Sequence, residues 1–512
     1  MFSSNLALIR KIVLVVALLL GAFLALGARS GMISPPDGLS TEAMITAGVM
    51  IIMATCWVLD VMPIAATSLI PLAAFPILGV QSGKLTAKAY SGHIIMLLMG
   101  GFFLAKGLER WQVPQRLAIL VQRWAKGEPR RLLYGLMATA AFLSMWLSNT
   151  ATTLVMVSVG LAAIQQAEAD EKNDAKDVKN FRIALLLGIA YAANIGGLAT
   201  PVGTAPNAIF LGLLEGVPGS PQISFLQWMI LALPVVVVLL PVMALMLSRL
   251  LSPFPVDLSL GPVVVEKPVP LAEGGKRALI IFVFTAVLWV FRRDLNLEFI
   301  VIPGWASSLG LGKIVDDGTV AMLGAVLMFA MPAGSSVPES DGKIDDKDSK
   351  EGVRVLDWAT ANTIPWSLIV LFGGGMALAD AFKVTGLSAF LGEKLVWLSG
   401  APLVVIVLVL CLGMSLLTEV TSNTATTTLL LPVFAAAAIP LGLPAVLLMF
   451  PATLCASAAF ILPVSTPPNA IAAGVGGIAV KDMARVGVFI NLIAVVLITA
   501  VTLLWVASQL GL

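Results

Sequence analysis

The hexapeptide Ser148-Asn149-Thr150-Ala151-Thr152-Thr153 recurs letter for letter as Ser422-Asn423-Thr424-Ala425-Thr426-Thr427, 274 residues further on. At the same offset LLMGGFFLA (97–105) matches LFGGGMALA (371–379) at five of nine positions, including the pairs Gly100-Gly101 and Gly374-Gly375. A third pair, PVGTAPNAI (201–209) and PVSTPPNAI (463–471), recurs at an offset of 262. Chance does not hold one register over that distance. The chain reads as two copies of one unit whose connecting loops differ in length.

The surroundings of these repeats are apolar. Of 512 residues 59% are hydrophobic and only 12% charged, against roughly 25% charged in soluble domains. A span needs about 20 apolar residues, and such runs recur from Ile12 to Trp505, which leaves no room for a large soluble module. The reading is an all-α polytopic membrane protein. Eleven spans are expected near 11–27, 43–59, 62–80, 93–109, 181–214, 225–250, 277–291, 319–333, 364–382, 444–477 and 486–509. Two further stretches, 131–165 and 402–439, are too long for one span and carry the polar hexapeptide at mid-length, as expected of re-entrant helical hairpins. The formal net charge of +2 gives no footing for nucleic acid, and none is expected as a partner. Cys56, Cys411 and Cys455 lie inside apolar runs and read as small hydrophobes, with no disulfide framework or metal site.

Five spans separate the two hairpins, an odd number, so the second must enter from the opposite side and the two repeats have inverted topology. The expected organisation is an N-terminal span and loop (1–42), repeat 1 (43–250), a cytoplasmic linker (251–276) and repeat 2 (277–512), with a polar cytoplasmic insert at 334–354. A cytoplasmic N-terminus puts 23 of the 31 Lys and Arg residues inside, seven of them between Lys106 and Arg131, as the positive-inside rule requires. The C-terminus is then extracytoplasmic, in a multi-pass protein of the inner or plasma membrane.

Backbone left unpaired inside a bilayer costs several kcal/mol per group, so a broken helix survives only where protein, water or ligand satisfies it. The tips at Ser148-Asn149-Thr150 and Ser422-Asn423-Thr424 end one arm and start the next. They offer carbonyls and hydroxyls that suit a hard cation, and amides at a helix N-terminus that suit an anion. The loops Gly203-Thr204-Ala205-Pro206-Asn207 and Ser465-Thr466-Pro467-Pro468-Asn469 interrupt spans five and ten, where proline removes a donor and frees more carbonyls. A single Ser-Asn-Thr in a membrane helix is ordinary hydrogen-bond glue. A duplicated one, at paired breaks in corresponding halves, points to the binding site of a secondary transporter.

These residues resemble a known family. The paired SNT tips, the paired PN loops and FGGGMALA preceded by LDW (356–358) and Pro365-Trp366 are similar to the divalent anion/sodium symporter family, which includes sodium-dicarboxylate cotransporters. The resemblance spans nearly the whole chain. It implies the eleven-span inverted-repeat fold, a homodimer, and an elevator-type movement of the part carrying both hairpins. It also implies sodium-coupled symport of C4-dicarboxylates such as succinate, malate and fumarate, with no cofactor beyond sodium. By the same resemblance, sodium site 1 is Ser144, Ser148, Asn149 and the carbonyl of Gly203, and sodium site 2 is Thr418, Thr421, Asn423 and the carbonyl of Ser465. Substrate carboxylates would contact Asn149, Thr150, Thr204, Asn423, Thr424, Thr466 and Pro467. A sodium-independent exchanger and a sulfate or tricarboxylate transporter of the same family are the alternatives.

Three further residues invite a reading. Glu419, the acid beside the second tip, either helps hold the cation or accepts hydrogen bonds that orient the tip backbone. His93, the sole histidine, stands at the start of span four and reads as an interfacial structural residue. Asp60 reads as a turn residue with Pro63. An enzyme is not expected: nucleophilic hydrolysis usually needs a base beside the Ser or Thr, and GxSxG, HExxH and the Walker-type GxxxxGK[ST] loop are all absent. No Lys or Arg lies between Leu132 and Gln165, Ile183 and Ser248, or Leu395 and Val480, so a dianion brought there must be compensated by mobile cations.

Overall fold

Apolar runs in a bilayer fold as helices because each helix satisfies its own backbone. A computed structural model describes residues 2–59, 61–260, 270–297, 300–334, 352–394 and 400–512. Asp60 and most of the insert 334–354 therefore lie outside the described residues. Among the described residues eight helices are long and apolar enough to cross a membrane, from the N-terminal helix to Val480–Gln509. The expectation of an all-α chain needs one correction. Leu295–Leu297 and Ile300–Ile302 pair as an antiparallel ribbon, with Leu295 opposite Ile302. Short β-branched runs such as Ile300-Val301-Ile302 favour a pleated surface.

Three of the expected spans differ in form. The run 62–80 folds as Ile64–Ser68 (5 residues) and Ile70–Leu78 (9 residues) with Leu69 between them, or about 22 Å of helix against a hydrocarbon core of about 30 Å. The run 319–333 is the helix Asp317–Ala330, 14 residues long and ended by Pro332 two residues beyond. Conversely Asn149–Ala169, expected as one arm of a hairpin, is 21 residues and of crossing length.

The breaks in spans five and ten are where the proline-asparagine loops placed them. Span five is the helix Ala175–Gly197, an irregular segment, and the helix Ala205–Glu215. Span ten is Val446–Ser457, a longer irregular segment, and Pro467–Gly476. Each second piece begins with proline at its first or second position and an extended threonine before it, Thr204 at φ −146°, ψ 147° and Thr466 at φ −144°, ψ 151°. Likewise Pro129–Ser144 and Leu403–Thr418 start and stop 274 residues apart, and so do the starts of Asn149–Ala169 and Asn423–Ala438. A further helix outside the expected spans, Val113–Ala125, has its counterpart in Leu387–Glu393, which starts at the same offset.

The broken spans form the centre. Every residue from Ile183 to Gly203 and from Val446 to Phe460 is buried. Ala205–Glu215 packs on Asn423–Ala438, and Pro467–Gly476 packs on Ala175–Gly197 and Asn149–Ala169, so each half's broken helix rests on the other half's tip helix. Small residues permit this approach, as in membrane bundles generally. A Cβ placed on Gly196 would lie 2.1 Å from the Ala141 carbonyl oxygen, and one on Gly487 would lie 2.0 Å from that of Phe460.

That contact yields a prediction about stability. Gly196→Ala must push the Pro129–Ser144 arm away and should destabilise by about 1–3 kcal/mol, the usual cost of overpacking. Gly413→Ala, where a Cβ meets nothing within 4 Å, should be neutral or stabilising through helix propensity. Thermal midpoints of the two purified variants in detergent check this; equal midpoints would contradict the packing.

Candidate functional site at the helix breaks

The first tip is built by the end of one helix and the start of the next. Ser144 is the last residue of its arm, fully buried, and its Oγ donates to Asn149 Oδ1. Ser148 takes an extended conformation and its side chain makes no capping bond, so the first amides of the Asn149 helix keep their donors available. Thr153 Oγ1 donates to the Asn149 carbonyl at 2.7 Å. The irregular segment of span five closes against this tip: a Cβ on Gly197 would lie 2.9 Å from Asn149 Oδ1 and 3.1 Å from the Gly203 carbonyl oxygen. Thus Ser144, Asn149 and the Gly203 carbonyl, expected to share a site, are gathered around Gly197. Ser148 is exposed, and no hydrogen bond ties it to them.

What holds Gly203 there is mostly Asn207. Its Nδ2 donates to the carbonyls of Gly197, Leu198 and Thr200 at 2.9, 3.3 and 2.7 Å. Thr200 Oγ1 donates to the Met145 carbonyl of the tip and accepts from Gly203 N at 3.1 Å. A seven-residue interruption is thereby closed onto the tip by one amide and one hydroxyl.

The second tip follows the same plan, except that Ser422 Oγ caps its helix by accepting from Ala425 N at 3.4 Å, and it has one addition. Thr418 is fully buried at the end of its arm and donates to the Ser415 carbonyl at 3.0 Å. Thr421 Oγ1 donates to the Leu417 carbonyl at 2.7 Å and lies 2.7 Å from Thr426 Oγ1. Asn423 Oδ1 is buried with no hydrogen-bond partner among the described residues, and a buried acceptor left unpaired calls for an explanation. Asn469 repeats the work of Asn207, donating to the carbonyls of Ala459 (3.0 Å) and Leu462 (3.3 Å) and to Ser465 Oγ (2.9 Å). Ser465 Oγ donates to the Leu462 carbonyl at 2.7 Å.

The addition is Glu419. Its carboxylate accepts from the backbone amides of Phe460, Ile461 and Leu462 at 2.8, 3.0 and 2.9 Å, and from Asn491 Nδ2 at 3.0 Å. Asn491 is oriented in turn by Ser415, whose Oγ donates to Asn491 Oδ1. Of the two readings open for Glu419, the geometry supports the second: its acceptor sites are occupied by donors, and it aligns the irregular segment behind the tip. The first half has no such group. Met145 stands at the corresponding position, and Leu198 and Ala199 N donate locally to Ile195 and Gly196 carbonyls.

Of the residues expected to face substrate, Thr150, Thr204 and Thr424 are half-buried and Pro467 is exposed. Thr466 is 5% exposed. Its Oγ1 accepts from Asn469 N at 3.3 Å and Asn194 Nδ2 at 3.0 Å, which leaves its proton for an acceptor such as a carboxylate. Asn194 also donates to Asn469 Oδ1 at 3.2 Å and so couples the first half's broken helix to the second half's loop. Sequence reading passed over Asn194, Asn491 and Ser415. Single polar residues inside apolar runs were the available signal.

His93 is paired with Glu215, Nε2 to Oε1 at 3.0 Å, both half exposed, in keeping with an interfacial role. The two line a cavity of about 270 Å³ with Lys88 and Asp380. It lies at the far end of the Ala205–Glu215 helix from Thr204 and is separate from the tips.

Comparison with known proteins gives the family. The sodium:sulfate symporter transmembrane region, as a family description, matches residues 13–510. The sodium-dependent dicarboxylate transporter SdcS of Staphylococcus saprophyticus is 37% identical over 487 residues, which cover 93% of this chain and 88% of that protein. SdcS of Staphylococcus aureus is 36% identical over 477 residues, 91% of this chain and 86% of the other. The crystal structure of the Alcanivorax borkumensis YdaH transporter shares the fold at a TM-score of 0.55 and 13% identity, covering 83% of this chain and 87% of that one. With a match running from residue 13 to residue 510, this multi-pass membrane protein belongs to the sodium:sulfate symporter family, the divalent anion/sodium symporters.

Proposed function

We propose that the protein is a secondary active transporter, not an enzyme, that imports divalent anions by sodium symport, with C4-dicarboxylates such as succinate, malate and fumarate as substrates. The observation that carries this reading is the pair of tips. Each puts an Asn side chain at the first residue of a helix, Asn149 and Asn423, in segments with no Lys or Arg from Leu132 to Gln165 or from Leu395 to Val480, and the loop before Asn207 lies in another such segment, Ile183 to Ser248. Hydroxyls and freed carbonyls there suit sodium, and free amides suit carboxylates. The relatives whose names state a sodium-dependent dicarboxylate activity support the choice of ion and substrate class.

In this reading Ser144, Ser148, Asn149 and Gly203 hold one sodium ion, and Thr418, Thr421, Asn423 and Ser465 hold another. Asn149, Thr150, Thr204, Asn423, Thr424, Thr466 and Pro467 contact the substrate. The two helix–tip–helix units are re-entrant hairpins in inverted repeats of an eleven-span fold, with the N-terminus cytoplasmic and the C-terminus outside. The part bearing both tips moves as an elevator within a homodimer. The matching helix boundaries at one offset support the repeat.

Two predictions follow from the site. Asn149→Ala and Asn423→Ala should each abolish uptake in proteoliposomes while leaving yield and thermal midpoint near wild type, because each side chain serves ion and substrate together. Wild-type uptake by either variant would remove the assignment. In the wild type, replacing sodium by choline or potassium at fixed pH should abolish succinate uptake, and apparent succinate affinity should rise with sodium, since linkage is reciprocal. Undiminished uptake, or uptake only into vesicles preloaded with a dicarboxylate, would favour an exchanger. Competition by sulfate with failure of every dicarboxylate would change the substrate.

A further inference from the structure

The Val113–Ala125 helix serves no part of the site, yet its surface has a distinct composition. Its buried face is Val113, Pro114, Ala118 and Ala125. Its outer face presents Leu120, 51% exposed, and Trp124, 59% exposed, flanked by the exposed Arg123 and Lys126. The acids of this stretch are already engaged, Glu109 with Lys106 at 2.7 Å and Glu128 with Arg131 at 2.5 Å. An apolar strip with an indole, bordered by basic groups at the end of a helix, is the pattern of a helix lying in the membrane interface with its cations on lipid phosphates.

The fold does not itself demand these charges. The counterpart helix Leu387–Glu393, 274 residues on, occupies the corresponding place in the second half with one acid, Glu393, followed by one base, Lys394. Its lysine lies over its own Phe390 ring, 5.0 Å from the centroid. The basic excess therefore belongs to the first of these two helices. The helix also sits on the first tip unit: a Cβ on Gly135, in the Pro129–Ser144 arm, would lie 2.6 Å from Val121 and 3.3 Å from the Trp124 ring. A ligand seated on Arg123 and Trp124 thus bears directly on the arm that ends at Ser144.

We propose that the outer face of the Val113–Ala125 helix, with Arg123, Lys126, Trp124 and Leu120, is a docking surface for anionic phospholipid, whose bound headgroup steadies the first tip unit and raises the transport rate. The apolar side chains enter the acyl boundary, and the two cations meet the phosphate. The binding half of the claim is independent of the transported substrate. The rate half rests on the transport reading above.

The test compares neutral phosphatidylcholine vesicles with vesicles containing phosphatidylglycerol. Native mass spectrometry of the purified protein should retain phosphatidylglycerol adducts. The double variant Arg123→Gln, Lys126→Gln should lose them, with headgroup affinity falling by roughly thirtyfold if each cation contributes as basic groups near a charged leaflet do. Sodium-driven succinate uptake should be faster in the anionic vesicles for the wild type. For the double variant it should be equal in both and match the wild-type rate in neutral lipid. Arg123→Lys with Lys126 intact should restore adducts and stimulation, since a phosphate is met by a point charge. Retained adducts or retained stimulation in the double variant would overturn the proposal. So would stimulation of the wild type in neutral vesicles by soluble glycerol phosphate, which would make the surface a free-anion site. Absence of uptake in every vesicle would count against the transport reading, and the adduct measurement would still decide the binding claim.

Discussion

A helix that stops inside a bilayer leaves up to four amides or four carbonyls without partners, and no water is at hand to take them. In the proposed fold the chain meets that constraint four times. Two interruptions fall between paired arms, before Asn149 and Asn423, and two fall within spans, before Ala205 and Pro467. At the within-span breaks the carbonyl side is met by an asparagine amide from the next helix, Asn207 in one half and Asn469 in the other. Both asparagines are fully buried. One amide group that bridges several carbonyls can close a loop which a backbone ladder cannot, and the proline beside it ensures that no ladder forms.

The two halves then diverge in how the rest is satisfied. In the first, amides of the interruption bond locally, and the loop is pinned to its tip by the Thr200 hydroxyl. In the second, three consecutive amides have only the Glu419 carboxylate. A buried carboxylate is tolerated when paired or hydrogen-bonded and is costly otherwise. Here four N–H donors surround it, and Asn491 is held in the donating orientation by Ser415. Breaking one partner would leave a charge exposed to a poor environment, a larger penalty than losing one neutral bond. The second half is therefore the more rigidly specified of the two, and Asn194 transmits that order to the first through Thr466 and Asn469.

Much of this was legible in the sequence because duplication marks what must be kept. The repeated hexapeptide placed the starts of the Asn149 and Asn423 helices, and the repeated PN loops placed both breaks. What was not duplicated was harder to see. Met145 stands at the position equivalent to Glu419, and Asn491 and Asn194 are lone polar residues in apolar runs, so no internal match announced them. Their partners are tens to hundreds of residues away, and hydrogen bonds of that range leave no local pattern. Hydropathy also could not give helix length. Ile64–Leu78 and Asp317–Ala330 are apolar enough for spans but too short, while the Val113–Ala125 helix, with its basic residues, has no apolar run of span length to mark it. The ribbon at Leu295–Ile302 was hidden for a similar reason, since a few β-branched residues carry no periodicity long enough to separate strand from helix.

The placement of charge ties the structure to the proposed symport. Between Leu395 and Val480 the chain has one ionisable acid, Glu419, and no Lys or Arg. An acid beside the second tip, when ionised, disfavours any anion that arrives alone. It cannot act as an ordinary cation ligand, because its oxygens are taken by N–H donors. Its charge is nevertheless felt at the adjoining hydroxyls and carbonyls, since Coulomb interaction in a medium of low dielectric falls only as distance. The proposed second sodium site then combines hard oxygen donors with the field of that carboxylate when it is ionised, which the first, with Met145 at the equivalent position, does not have. In the proposed symport a dicarboxylate meets a favourable potential only after cations have entered, and Asn149 and Asn423 are the side chains proposed to serve both. Coupling under this arrangement needs no arginine clamp, because the cation that compensates the substrate is the same one whose gradient drives it.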